Sequence, residues 1–202
     1  MRHATRIITA SLALVCGATL VACSDSNEGL SQQWNDSSDK GFIAGDGSTT
    51  SIPASERTNP VKFSGVGENG ETITEAETAN SVSVVNFWYA GCAPCRAEAG
   101  DLNDAFSTFE NDNVKFLGVN TRDDRAQAQQ FTKEFKVPYQ SILDVAGDRA
   151  VQRAFAGQVP LNAVPTTLVL DTEGRVAHRI LGQLASASQL ETLISETLAE
   201  NE

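Results

Sequence analysis

The sequence predicts a single α/β domain over residues 41–202, with a β-sheet flanked by helices. Three observations predict it. Residues 82–89 (VSVVNFWY) carry apolar side chains on both faces and run through a two-residue connection into a helical pattern. Residues 114–119 (VKFLGV) form a second buried strand, again followed by a helical pattern. The chain then closes with a hairpin and an amphipathic helix.

Each element has its own local cause. Phe42 and Ile43, the turn-like Gly45, Asp46 and Gly47, and Ser51, Ile52 and Pro53 suggest a short N-terminal β-hairpin. Val61 to Phe63 and Glu71 to Ile73 flank Asn69-Gly70, a strong turn signal. In 82–89 the β-branched and aromatic content suits a central strand covered on both sides. Ala90 and Gly91 make the connection. Pro94 is tolerated in a first helical turn, where an N–H has no intrahelical partner to lose. Leu102, Ala105, Phe106 and Phe109 then recur at helical spacing. Asp123 or Asp124 can cap a helix through Phe135, with Ala128, Phe131 and Phe135 facing inward and Pro138 stopping it. A further helix is expected over 148–156, closed by Gly157. Residues 167–170 and 175–180 alternate around Asp171-Thr172-Glu173-Gly174, a hairpin. Residues 186–199 place Leu190, Leu193, Ile194 and Leu198 on one helical face. There is no internal repeat. His178, on an alternating strand, is expected to be a solvated strand residue.

The 202 residues are 41% hydrophobic and 20% charged, enough for one domain with a real core. The formal net charge is -11, and it becomes -13 without Arg2 and Arg6 of the first 22 residues, which hold no acid. Such a surface repels phosphate backbones, which argues against nucleic-acid binding. Solubility is the plain reading of the acidity, with steering of a basic partner as the alternative.

Residues 1–22 read as a signal peptide rather than as structure. A short basic start is followed by an apolar run from Ile7 to Leu20, broken by Thr9, Ser11 and Thr19. That run is too short and punctuated for a membrane span of about 20 apolar residues. It ends in Leu20-Val21-Ala22-Cys23. Residues 23–40 are mostly Ser, Asp, Asn and Gln, too polar to bury a core, and are read as a flexible tether.

There are four cysteines, at 16, 23, 92 and 95. Cys16 lies within the signal run, so the folded domain keeps the pair Cys92-Ala93-Pro94-Cys95. A structural zinc site needs four ligands, and only His178 remains beside this pair after signal removal. A c-type haem attachment needs a histidine after the second cysteine, where Arg96 stands. A static disulfide is the bland alternative. Two cysteines three apart close a very small loop, so such a bond adds little stability by chain entropy, and exchange is favoured. The pair sits where a strand turns into a helix, with Cys92 at the helix N-terminus. The unpaired N–H groups and positive dipole end there stabilise a thiolate, the nucleophile of disulfide exchange. Cys92 is thus expected to attack first, and Cys95, one turn in and less exposed, to resolve the mixed disulfide.

The segment NFWYAGCAPCRAE, with Val164-Pro165-Thr166-Thr167 far downstream, resembles the thioredoxin superfamily, closest to TlpA/ResA-like extracytoplasmic thiol–disulfide oxidoreductases. The resemblance covers about residues 41–200 and implies a thioredoxin-like fold, a central mixed β-sheet flanked by helices. It implies that Pro165 is a cis-proline facing the dithiol and that the backbone of Val164 pairs with the substrate chain, with Trp88 beside the site. Leu20 to Cys23 resembles the lipobox of bacterial lipoproteins, which implies lipidation of Cys23 and a membrane anchor on the extracytoplasmic side. The chain departs from many relatives in having Gly91 where they carry Trp, which leaves the sulfur more open. Where cytoplasmic thioredoxins have a buried Asp, it has Asn86, which cannot act as a base. The group's carboxylate three residues after the second cysteine maps onto Glu98. Glu98 is expected either to tune the thiols and relay protons, or to be a first-turn Glu favoured by the helix dipole.

The function expected is thiol–disulfide exchange on protein substrates, with no metal or organic cofactor. A membrane thiol redox partner of the CcdA/DsbD type is implied by the resemblance, and the protein is expected to be a monomer. Ala93-Pro94 lacks the histidine of strongly oxidising relatives, which leans towards a reductase, for example in cytochrome c maturation. A disulfide-forming oxidase on the same scaffold, and a non-catalytic module escorting haem, copper or a polypeptide, are the alternatives.

Overall fold

The strand expected to be covered on both faces is the centre of a six-stranded sheet. The structure is a computed structural model that describes residues 47–200 apart from residue 161. Its elements are β1 (Ser48–Ser51), β2 (Ser64–Val66), β3 (Thr72–Thr74), β4 (Val82–Trp88), α1 (Ala93–Thr108), β5 (Val114–Asn120), α2 (Arg125–Phe135), β6 (Ser141–Leu143), α3 (Ala150–Ala154), β7 (Thr166–Leu170), β8 (Val176–Leu181) and α4 (Ala187–Ala199). The sheet order is β1-β8-β7-β4-β5-β6, and β2 and β3 form a separate hairpin. β4 runs parallel to β5 and antiparallel to β7, so every residue of β4 is buried. The mixed sheet expected of a thioredoxin-like fold is therefore present.

The connections β4–α1–β5 and β5–α2–β6 are both parallel crossovers that step the same way along the sheet. Right-handed crossovers then put α1 and α2 on one face. Arg96 of α1 bonds Glu134 of α2 at 2.7 Å, and the Asn103 side chain donates to the Phe135 carbonyl at 2.9 Å. α4 joins α1 over Val82, Val84 and Val169, burying Leu102, Leu190, Leu193 and Ile194. The opposite face packs Val85, Phe87, Leu117 and Leu168 against Phe63, Ile73, Val151 and Phe155, contributed by the hairpin region and α3. Helix ends follow their side chains: Asp124 makes a capping box with Gln127, and Ser186 caps α4. α2 stops at Phe135 because Lys136 turns left-handed (φ 54°), two residues before Pro138.

Three expectations need correction, and a fourth falls partly outside the described residues. Residues 42–46 of the expected N-terminal hairpin lie outside the described residues, and Ser48–Ser51 pairs antiparallel with β8. The second hairpin is shifted, from 61–63 and 71–73 to β2 and β3, because Val61 is tied by its N–H to the Gly174 carbonyl at 3.0 Å. α3 is shorter than 148–156, since Asp148 and Arg149 are both left-handed (φ 53° and 58°). His178 is not solvated: β1 pairs beside it, its Nδ1 meets Ser51 Oγ at 2.9 Å, and only 4% of it is exposed. Burial, the largest cause, holds its pKa below the ordinary histidine value. Nothing in residues 48–51 (STTS) marks them as a strand that would cover β8. The expected signal peptide, Cys23 and the tether also lie outside the described residues.

One glycine sets how closely β4, β5 and β6 approach. A Cβ at Gly118 would collide with Ser141 Oγ and Trp88 Nε1, which bond each other at 3.2 Å. Gly118→Ala is expected to cost about 1–3 kcal/mol through overpacking. Urea unfolding followed by tryptophan fluorescence checks this, and a midpoint equal to that of the wild type contradicts it.

Candidate active site

β4 ends at Trp88, and the loop that follows is fixed before the helix begins. The Ala90 N–H donates to Asp123 Oδ2 at 2.6 Å, and Asn120 Nδ2 donates to the same oxygen at 2.7 Å. Asn120 Oδ1 accepts in turn from the Asp123 N–H at 2.8 Å. A buried aspartate at the end of β5 thus pins the segment entering the dithiol. The Cys92 N–H donates to the Tyr89 carbonyl at 3.1 Å, which closes the turn.

Cys92 is the N-cap of α1, with extended backbone (φ -80°, ψ 110°), and its Sγ accepts the Cys95 N–H at 3.2 Å. Pro94 occupies the first turn, as expected. Cys92 and Cys95 are joined as a disulfide, with Cα atoms 5.2 Å apart. When the bond is reduced, the same N–H and the positive end of α1 favour a thiolate at Cys92. The expected difference in exposure is absent: Cys92 is 0% and Cys95 2% exposed, both packed with Trp88, Tyr89, Ala99 and Val164. Cys92 is thus buried in the disulfide even with Gly91 beside it.

Glu98, one turn beyond Cys95, is completely buried. Its Oε1 accepts from Asn86 Nδ2 at 3.0 Å and its Oε2 from the Leu184 N–H at 3.0 Å. Asn86 also donates to Thr167 Oγ1 at 3.0 Å, across the β4–β7 ladder that sets the two residues opposite each other. Burial is the largest influence and raises the Glu98 pKa to about 7, against the lowering effect of its two donors. This is a carboxyl inside the core, not a solvated first-turn Glu. Below Cys95 lies a cavity bounded by Asn86, Trp88, Phe131 and Tyr139, with room for about one water molecule.

The Val164–Pro165 bond is cis, as the resemblance implied. Val164 is 2% exposed and shares the cluster that holds both cysteines, while the Pro165 carbonyl accepts the Gly182 N–H at 2.9 Å. Trp88, expected to contact substrate, is 4% exposed, stacks on Phe131 at 4.3 Å and spends its indole N–H on Ser141. It supports the site from below and is not presented to a substrate, because the even-numbered face of β4 is covered by α1 and α2.

Sequence reasoning missed three contributors. From the sequence Asp123 is expected only as a helix cap, although Asn120 and Asp123 at this spacing are typical of a side-chain-stabilised turn. Tyr139 carries no motif. Leu184 reaches Glu98 from 86 residues away, with no local signal.

Sheet order, a dithiol at the strand–helix junction and a cis-proline preceding β7 define a thioredoxin-superfamily protein. Residues 58–179 match the AhpC/TSA family, and the chain belongs to it. It is similar to the thiol:disulfide interchange protein HelX of Rhodobacter capsulatus, 36% identical over 114 residues, which are 55% of this chain and 59% of HelX. It is similar also to the thiol-disulfide oxidoreductase ResA of Bacillus subtilis, 25% identical over 119 residues, 59% of this chain and 63% of ResA. The chain thus spans less than two thirds of the length of either relative. Among solved structures, a DsbF homologue from Corynebacterium diphtheriae superposes with a TM-score of 0.63 and 28% identity, covering 77% of this chain and 97% of its own.

Glu98 gives a pH signature. Its ordinary pKa is 4.5 and its folded value about 7, so above pH 4.5 the unfolded chain releases a proton that the folded chain keeps. Its contribution to stability is therefore full below pH 4.5 and falls by about 3 kcal/mol as pH rises to 7. In the disulfide form, where the cysteines do not titrate, Glu98→Gln is expected to flatten this decline in urea unfolding at pH 4.5 and 7.5. Equal slopes for the two proteins contradict the assignment.

Proposed function

We propose that this chain exchanges thiols and disulfides on protein substrates through Cys92 and Cys95, acting as a reductase. The observation that carries the reading is a disulfide whose first sulfur caps a helix beside a buried carboxyl. In the reducing direction the Cys92 thiolate attacks a substrate disulfide. Cys95 then resolves the mixed disulfide, leaving Cys92–Cys95 oxidised and the substrate as a dithiol. Glu98 holds the proton that Cys95 must lose. Val164 and Pro165 line the place where an extended substrate segment lies. Relatives named as thiol:disulfide interchange proteins and oxidoreductases support the chemistry. The absence of histidine between the cysteines supports the reducing direction, for which apocytochrome c is a fitting client. No metal or organic cofactor enters this scheme.

Insulin reduction tests the reading: Cys92→Ser is expected to fall to background, and Cys92 of the reduced protein to be alkylated faster than an ordinary exposed thiol at pH 7. Direction is read from the reduction potential of the pair. A value near about -270 mV supports reduction, and one near about -120 mV replaces it with disulfide formation.

We further propose that the chain works as a monomer on the outer side of a cell membrane, held by lipid on Cys23 through a tether over 23–40, and is recharged by a membrane thiol partner. Cys23→Ser is expected to move the protein from the membrane to the soluble fraction on cell fractionation; retention in the membrane contradicts the anchor.

A further inference from the structure

Both donors to Glu98 suit its ionised form. Oε1 accepts from Asn86 Nδ2 and Oε2 from the Leu184 N–H, each at 3.0 Å. The Asn86 amide can face the carboxyl in two ways. With Nδ2 forward it donates to a carboxylate. Turned over, it would set Oδ1 against Oε1, a contact that suits only a protonated carboxyl. The second hydrogen of Nδ2 keeps the donating end forward, because it goes to Thr167 Oγ1 at 3.0 Å. All three side chains are buried, those of Glu98 and Thr167 completely. The sheet register leaves the Thr167 hydroxyl without a rival in the row that holds Asn86. Gly118, opposite Asn86 on β5, has no side chain, and Ile180, beyond Thr167 on β8, is apolar. A buried amide hydrogen without an acceptor is costly, so loss of the Thr167 oxygen would remove what keeps Nδ2 in place.

We propose that Thr167 is a positioning residue of the dithiol site, holding the Asn86 amide so that it donates to the Glu98 carboxylate. Its bearing on activity rests on the exchange reaction proposed above, whereas the positioning is a property of the folded disulfide form. Thr167 follows the cis-proline by two residues, so the strand that leaves the substrate side of the site also orients the carboxyl. Donation from Asn86 lowers the Glu98 pKa against the larger, raising effect of burial, and its loss lifts the value above about 7. The disulfide carries no charge. The other titratable groups whose charge is coupled to Glu98 are Asp101 on its own helix, tied to the Ala187 N–H at 3.0 Å, and Tyr139, kept neutral by burial. The loop before α4 presents only a backbone N–H.

Thr167→Val keeps the branched shape and removes the hydroxyl, and Thr167→Ser keeps the hydroxyl. Urea unfolding of the disulfide form of the full chain from pH 4.5 to 9 reads Glu98 without any exchange reaction. The fall in stability that ends near pH 7 in the wild type is expected to extend about one pH unit higher in Thr167→Val and to regain its wild-type end point in Thr167→Ser. Thr167→Ala also lacks the hydroxyl and gives the same reading should the valine variant not fold. In single-turnover reduction of insulin, the acid limb of the resolving step is expected to move up equally, making Thr167→Val about tenfold slower at pH 6. If the decline ends at the wild-type pH in Thr167→Val, or if serine does not restore it, the positioning is overturned. If the decline extends but the acid limb stays, the positioning stands and the use of Glu98 in exchange fails. A rate lowered equally at every pH, with the decline unmoved, marks a packing defect and overturns the positioning.

Discussion

A carboxyl group buried between a helix and the central strand is the constraint that the rest of this molecule accommodates. Glu98 ties three separate pieces of chain together: α1 by its own backbone, β4 through Asn86, and the loop before α4 through the Leu184 N–H. Asn86 extends the tie to β7 through Thr167. A buried carboxyl without partners is expensive, so each of these donors is required where it stands. The arrangement fixes α1 against the sheet at the turn that carries Cys95, and the depth at which the dithiol sits follows from it.

The second fixed point is Asp123. It holds the Ala90 N–H and the Asn120 amide, so the loop into Cys92 is anchored from β5, the strand beside the one it leaves. One carboxyl therefore sets the start of α1 and another sets its first two turns. They differ in environment: Glu98 is fully enclosed and favours its neutral form, whereas Asp123, at 8% exposure, accepts short bonds from two N–H donors.

The central strand, the dithiol helix and α4 were legible in the sequence because each states its burial locally. Two apolar faces mark β4, Pro94 marks a first turn, and Leu190, Leu193 and Ile194 mark a stripe. Elements that depend on a distant partner were not legible. β1 is Ser and Thr throughout, and among the described residues its strand pairing is with β8. His178 is buried where Ser51 of that strand meets it, so the alternation of β8 alone points the wrong way. At the site, Cys92, Cys95, Glu98 and Pro165 carry recognisable spacing, while Tyr139 and Leu184 arrive through tertiary folding alone.

The pairing of β1 with β8 has a consequence at the margins of the sheet. One margin is a four-residue strand of exposed hydroxyl side chains, and the other is three-residue β6, bridged at Ile142 by Gly67 of the hairpin region. Neither offers a long, flat, apolar ladder on which a foreign extended chain could template itself, the route by which sheet proteins stick to unfolded neighbours. Among the described residues one outer strand is polar and exposed, and the other is brief and bridged by Gly67.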